Sequence, residues 1–155
     1  MRERNEAILA DLITLRAEQK PDLDVLTFER WSLRDGALPD EVRTYAQLHD
    51  NANRIAAALV RRGLAPGDRF ALMMRNHPEF VETLIAASIT ACVCVPIDPR
   101  TRGERLAFTL RDAGCRGVVG ADYCLPALAA VRTSVPDLAW MLVLAVPMGV
   151  LVATL

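Results

Sequence analysis

The 155-residue chain lacks most of the short signatures that mark a catalytic or metal-binding protein. No Walker-type glycine–lysine loop occurs, which excludes the commonest phosphate cradle. No serine stands in a G-x-S-x-G elbow, and the few serines show no histidine and acid arrangement. The two histidines, His49 and His77, and the four cysteines, Cys92, Cys94, Cys115 and Cys124, lack the paired spacings of a zinc site. Cys92 and Cys94 would share one face of a strand, a poor geometry for a disulfide between them. All four thiols are therefore read as small buried hydrophobes. The N-terminus, MRERNEAILADL, mixes acids and bases without a long apolar core and is not a secretory signal, so the expected compartment is the cytoplasm. A net charge of -1 excludes a global pull toward nucleic acid or an anionic membrane surface.

What is present is globular composition, 52% hydrophobic and 24% charged, in one domain's length of chain. Ile8, Leu9, Leu12 and Ile13 make a helical stripe over residues 6–17 that Pro21 stops. DVLTFER reads as a strand and WSLRDGALPDEVR as a polar, turn-rich connection. Next comes TYAQLHDNANRIAAALVRRG, with a capping box of Thr44 and Gln47, a stripe of Leu48, Ala52, Ile55 and Leu59, and Gly63 as its left-handed end. Further boxes are expected at Asn76 with Glu79 and at Thr101 with Glu104. The helix behind the first carries Phe80, Val81, Leu84 and Ile85, and Gly114 ends the helix behind the second. Between the helices stand apolar runs without polar alternation, RFALMM, CVCVPI, CRGVVG and LAWMLVLA, as buried parallel strands require; ADYCLPALAAVR is read as one more helix. The alternation predicts an α/β fold, a largely parallel sheet joined by right-handed βαβ crossovers.

Two features have competing explanations. Gly114, Gly117 and Gly120 suggest a phosphate loop, but they flank or lie within a strand, so a helix cap and turns explain them better. Arg54, Arg61 and Arg62 are read as a solvated helix face. More specific is VPIDPRTRGE, which sets Asp98, Pro99 and Arg100 between the end of a buried parallel strand and a helix start. Open α/β sheets bind ligands there, and Arg100 and Arg102 could meet a phosphate. On position alone, a plain turn with solvated arginines is the better reading.

TYAQLHDNANRIAAALVRRGLAPGDRFALMM, RNHPEF, VPIDPR and GERLAFTLRDAGCRGVV occur in an order and spacing that resemble the N-terminal part of the adenylate-forming (AMP-binding) superfamily. The resemblance is strongest to acyl-CoA ligases, with peptide-synthetase adenylation domains and luciferases as nearer alternatives than anything outside the superfamily. It implies two steps: a carboxylic acid is activated by ATP with Mg²⁺ to an acyl adenylate, and coenzyme A then takes the acyl group. It also implies that Arg100, at the family's N/D-P-R position, approaches coenzyme A phosphates. The chain departs from the family in lacking the Pro-Lys-Gly phosphate loop, the Thr-Glu motif for Mg²⁺, the ribose-binding aspartate, the hinge and the C-terminal lysine. A truncated ligase is therefore expected: inactive alone, without catalytic or metal residues or a cofactor of its own. The alternatives are a split enzyme whose remainder is separately encoded and a non-catalytic module tethered to a membrane. Ala91 replaces the family's usual glycine ahead of the strand, which is strained if φ is positive there.

The last eighteen residues, 138–155, carry no charge. A span needs about 20 apolar residues, so the run could barely cross a bilayer. The resemblance implies an interior strand at 138–144, which leaves 145–155 as an apolar tail too short to span, in preference to an anchor. The domain reading follows: residues 1–144 ligase, 145–155 tail. Pro147 and Gly149 within the run do not decide between the two, because membrane helices tolerate both.

Overall fold

The computed structural model describes residues 4–32, 36–145 and 150–154. Two compact units share the chain, Met1–Leu59 with Asn76–Thr90, and Val60–Arg75 with Ala91–Leu155.

The first unit contains helix α1 (Leu9–Gln19), strands β1 (Asp24–Ser32) and β2 (Gly36–Thr44), nearly all of helix α2 (Tyr45–Arg61), and helix α3 (Pro78–Thr90). The connection expected between β1 and α2 is instead the second strand of an antiparallel hairpin. Polarity and Pro39 argue against a strand. The register, however, sets Pro39 and Asp40 opposite Glu29 alone, and a bulge of this kind tolerates a residue without an amide proton. The tip, residues 33–35, lies outside the described residues. Thr44 caps α2 as expected: Gln47 N–H donates to Thr44 Oγ1 at 3.3 Å, and Thr44 N–H donates to Gln47 Oε1 at 2.9 Å. The predicted stripe of Leu48, Ala52, Ile55 and Leu59 is buried. Ile13, Leu48, Ala52 and Ile85 form one apolar cluster of the unit.

Helix α3 departs from the expectation in two ways. It starts at Pro78, a good first helical residue because it has no amide proton to leave unpaired. Asn76 therefore stands two residues ahead of the helix rather than at its cap, and no box forms with Glu79. Its buried side also includes Glu79, Glu82 and Thr83, whereas Phe80, Val81 and Leu84 are half-buried. Arg43 explains why carboxylates are tolerated there. Its Nε donates to Glu82 at 2.9 Å and its Nη2 to Glu41 at 2.7 Å, with Glu79 3.9 Å from Nη2. Asn51 Nδ2 also donates to Glu82, at 2.8 Å. Burial, reinforced by the charges of Glu82 and Glu41, raises the pKa of Glu79 above the usual carboxylate value.

The second unit is a five-stranded sheet of β3 (Arg69–Met73), β4 (Val93–Pro96), β5 (Cys115–Ala121), β6 (Trp140–Ala145) and β7 (Val150–Thr154), ordered β4-β3-β5-β6-β7. The first four strands are parallel, and β7 is antiparallel to β6. Helix α4 (Gly103–Asp112) joins β4 to β5, and helix α5 (Leu125–Val131) lies between β5 and β6. Leu106, Leu110 and Leu128 from these helices pack with Ala71, Met73 and Val118 of the strands. Phe70 to Met73 are fully buried, as an unalternating apolar run demands.

β4 is not the buried strand that CVCVPI suggests. It lies at the sheet edge with Val93 46% exposed, because only β3 pairs with it among the described residues. Cys92 and Cys94 are accordingly half-buried, while Cys115 and Cys124 are buried. Burial pushes the Cys94 thiol up to about 12 and Cys115 to about 11, so both are poor nucleophiles.

Among the glycines, Gly63 and Gly114 have the positive φ of helix ends. Gly117 serves another purpose: a Cβ there would lie 2.1 Å from the Trp140 ring, its partner in β6. Arg62 is not simply solvated, since its guanidinium lies 5.8 Å from the same ring's centroid; Arg54 and Arg61 are exposed. Ala91 has φ 53, the left-handed value that the missing glycine would accommodate. At the C-terminus, Val150–Thr154 extends the sheet, and 146–149, with Pro147 and Gly149, lie outside the described residues. Among the described residues no helix is long and apolar enough to cross a membrane.

Candidate functional site

Parallel strands direct their carboxyl ends to one edge, so the loops after β3, β4 and β5 meet there. After β4, Ile97 N–H still bonds Leu72 O at 2.9 Å, which carries the strand's direction up to Asp98. The chain then turns: Thr101 N–H donates to Asp98 O at 2.9 Å, and Arg100 N–H donates to Asp98 Oδ1 at 2.8 Å. Pro99 fits inside such a turn because its fixed φ suits the second position and no amide proton is needed there.

The expected site residues do come together, but mainly with one another. Arg100 Nη2 donates to Asp98 Oδ2 at 2.7 Å, and Nε lies 3.1 and 3.3 Å from the two carboxylate oxygens. These side-chain bonds, followed by the backbone amide of Arg100, hold Asp98 down to about 2, so it is ionised at any working pH. The Arg100 side chain is nevertheless 86% exposed. Arg102 folds back on its own loop, Nη1 donating to Pro99 O at 2.5 Å and Thr101 O at 2.8 Å.

The Thr101–Glu104 box does not form. Arg102 holds the cap position, in extended conformation and with no side-chain cap, and α4 begins at Gly103. Glu104 instead accepts from Arg111 Nη2 at 2.6 Å. The helix starts one residue later than a cap at Thr101 requires, and that shifts the register the sequence pattern implies.

Sequence reasoning missed two residues at this edge. Arg75 follows β3 and Tyr123 follows β5, both two residues beyond the strand. The Arg75 amide donates to Tyr123 Oη at 2.6 Å, and the Arg75 guanidinium stands 5.0 Å from the ring centroid. Beneath them, Cys124 Sγ donates to Met73 O at 3.2 Å. The signal was available: each residue closely follows an apolar run already read as a parallel strand. Among the described residues no group of three His, Cys, Asp or Glu side chains could hold a metal ion.

Parallel strands, crossover helices and polar loops gathered at the strands' carboxyl ends define an open α/β subdomain, a class whose ligands bind at that edge. The chain belongs to the AMP-binding enzyme family, whose profile matches residues 13–150. It is 38% identical over 89 residues to the long-chain-fatty-acid–CoA ligase FadD13 of Mycobacterium tuberculosis, covering 57% of this chain and 18% of the ligase. Over 105 residues it is 36% identical to coprinoferrin synthetase of Coprinopsis cinerea, covering 67% of this chain and 4% of the synthetase. Among solved structures, the inhibitor-bound N-terminal domain of FACL13 from Mycobacterium tuberculosis superposes with a TM-score of 0.75 at 28% identity. That match covers 87% of this chain and 33% of that domain. The chain thus spans less than a fifth of the length of these two curated relatives, and its fold matches part of the N-terminal domain of adenylate-forming ligases.

Proposed function

We propose that this chain is the leading part of an AMP-forming acyl-CoA ligase working in the cytoplasm. The family reaction has two halves. A carboxylate oxygen attacks the α-phosphorus of ATP and pyrophosphate leaves; the thiol sulfur of coenzyme A then attacks the acyl carbon and AMP leaves. The match to the family over residues 13–150, with a long-chain acid–CoA ligase at 38% identity, carries this reading. On it, the parallel sheet positions its carboxyl-end loops, and Arg100 exchanges its Asp98 partner for a coenzyme A phosphate. Such an exchange is chemically matched, because a guanidinium pairs with carboxylate and phosphate in the same bidentate geometry.

We further propose that these 155 residues do not adenylate an acid alone. Charge stabilisation at the transferring phosphorus is usually the largest catalytic term, and no cradle for it is found among the residues described. The remainder would come from the same polypeptide or from a separately encoded one. The test is carboxylate-dependent exchange of labelled pyrophosphate into ATP with a panel of fatty and aromatic acids. The chain alone should stay at the blank, and the chain joined to the remainder of a relative should exchange. Exchange by the purified chain alone would overturn the claim of dependence.

A further inference from the structure

Of the four arginines near the carboxyl edge of the parallel sheet, two are already engaged. Arg100 is tied twice over to an ionised Asp98, so an arriving anion must displace a carboxylate of matching geometry. Arg102 spends Nη1 on two carbonyls of its own loop. Arg105 lies within α4 and is exposed. Arg75 differs from all three. Among the described residues no carboxylate lies within ion-pair distance of it, and its charge rests over the Tyr123 ring instead.

The ring contact orders the side chain without consuming its donors. A guanidinium attracted to an aromatic face keeps five N–H groups for a further acceptor. Tyr123 fixes the residue a second time by accepting its backbone amide. The ordering cost of binding is thereby partly met before a ligand arrives. Arg102 adds positive charge nearby, because the buried Cys124 thiol feels both arginines. The opposing carboxylate is Asp122, one of whose oxygens accepts the Tyr123 amide at 2.7 Å.

We propose that Arg75, seated on Tyr123, is the principal phosphate-binding cation at this sheet edge, ahead of Arg100. The ligand class is a phosphate-bearing anion, either a phosphoanhydride or a phosphomonoester. The proposal rests on the reading that this edge faces a phosphorylated substrate, and it places Arg75 before Arg100 as the residue that meets the phosphate.

The experiment is calorimetric titration of the full 155-residue chain at fixed ionic strength with inorganic pyrophosphate. Parallel titrations with coenzyme A and with ATP identify the natural source of the anion. Arg75→Gln should weaken pyrophosphate binding by about tenfold or more, as expected for a lost charge-assisted pair, and leave the melting temperature unchanged. Arg100→Gln should change it by less than about twofold, because Asp98 already neutralises that side chain. Tyr123→Leu should reproduce part of the Arg75→Gln loss. Loss on Arg100→Gln with none on Arg75→Gln overturns the assignment to Arg75 and leaves the phosphate-facing edge standing. No binding of any of the three anions by the unaltered chain overturns both.

Discussion

The two units of this chain are held together by different means. In the second, fourteen buried residues from strands β3 and β5, helices α4 and α5 and the segments that connect these elements form one apolar cluster. In the first, Ile13, Leu48, Ala52 and Ile85 form a smaller apolar cluster, and among the described residues the buried polar side chains Glu79, Glu82 and Thr83 all lie on its helix α3. Apolar burial is non-directional and tolerates small displacements. A guanidinium shared by carboxylates is directional, and its worth depends on the protonation state of each partner. Cohesion of the second unit should therefore respond to lost volume, and cohesion of the first to pH.

The largest expected effect tests the apolar side. Leu110 is fully buried in the large cluster, so Leu110→Ala should cost about 3 kcal/mol through lost transfer energy and a residual cavity. Urea unfolding measures the loss, and amide exchange should locate it in β3 and β5. A cost below about 1 kcal/mol would mean that this core is looser than described.

A smaller effect, of distinctive sign, tests the charged side. Glu79 has its folded pKa raised above the ordinary 4.5, so the folded state binds its proton more tightly than the unfolded state. Its contribution is fully present below the unfolded value and is lost as pH rises through the folded one. Glu79→Gln, which keeps the shape without the charge, should match the parent near pH 4 and exceed its thermal stability at pH 8. Parallel melting curves across that range would show that Arg43 offsets the Glu79 charge completely.

The smallest effect lies outside both clusters, in the backbone at Ala91. An L-residue in the left-handed region costs about 1–2 kcal/mol, against about 0.5–1 kcal/mol for glycine's greater freedom in the unfolded chain. Ala91→Gly should therefore stabilise the protein by about 0.5–1 kcal/mol. A fall in melting temperature would show that the methyl group makes a contact worth more than the strain it imposes.

The elements most legible in the sequence were those that local chemistry decides. Thr44 and Gln47 bond each other across one helical turn, Gly63 and Gly114 supply a positive φ, and RFALMM has no polar residue to offer solvent on either face. The strain at Ala91 was signalled by the resemblance, which expects glycine at that position, and the φ of 53 meets the condition. At the candidate site, the turn at Asp98-Pro99-Arg100 was readable, but the ion pair that closes it on itself was not. An arginine two residues from an aspartate pairs with it only if the turn brings them face to face.

By itself, the sequence determined the α/β alternation, the start of α2 and the ends of α2 and α4, three of the four parallel strands' buried character and the adenylate-forming resemblance. The first three follow from periodicities and spacings within some thirty residues of chain, whereas the resemblance rests on motifs that keep their order from residue 44 to residue 119. Only the tertiary structure decided that β4 stands at an edge, that β2 completes a hairpin around a bulge, that β7 runs back along β6, and that Glu82 is buried beside Arg43. It also decided that Arg75 meets Tyr123, 48 residues further along the chain. The physical reason is common to these cases. Burial, pairing and charge compensation depend on which distant segment arrives as neighbour, and an apolar run or a lone arginine carries no record of that neighbour.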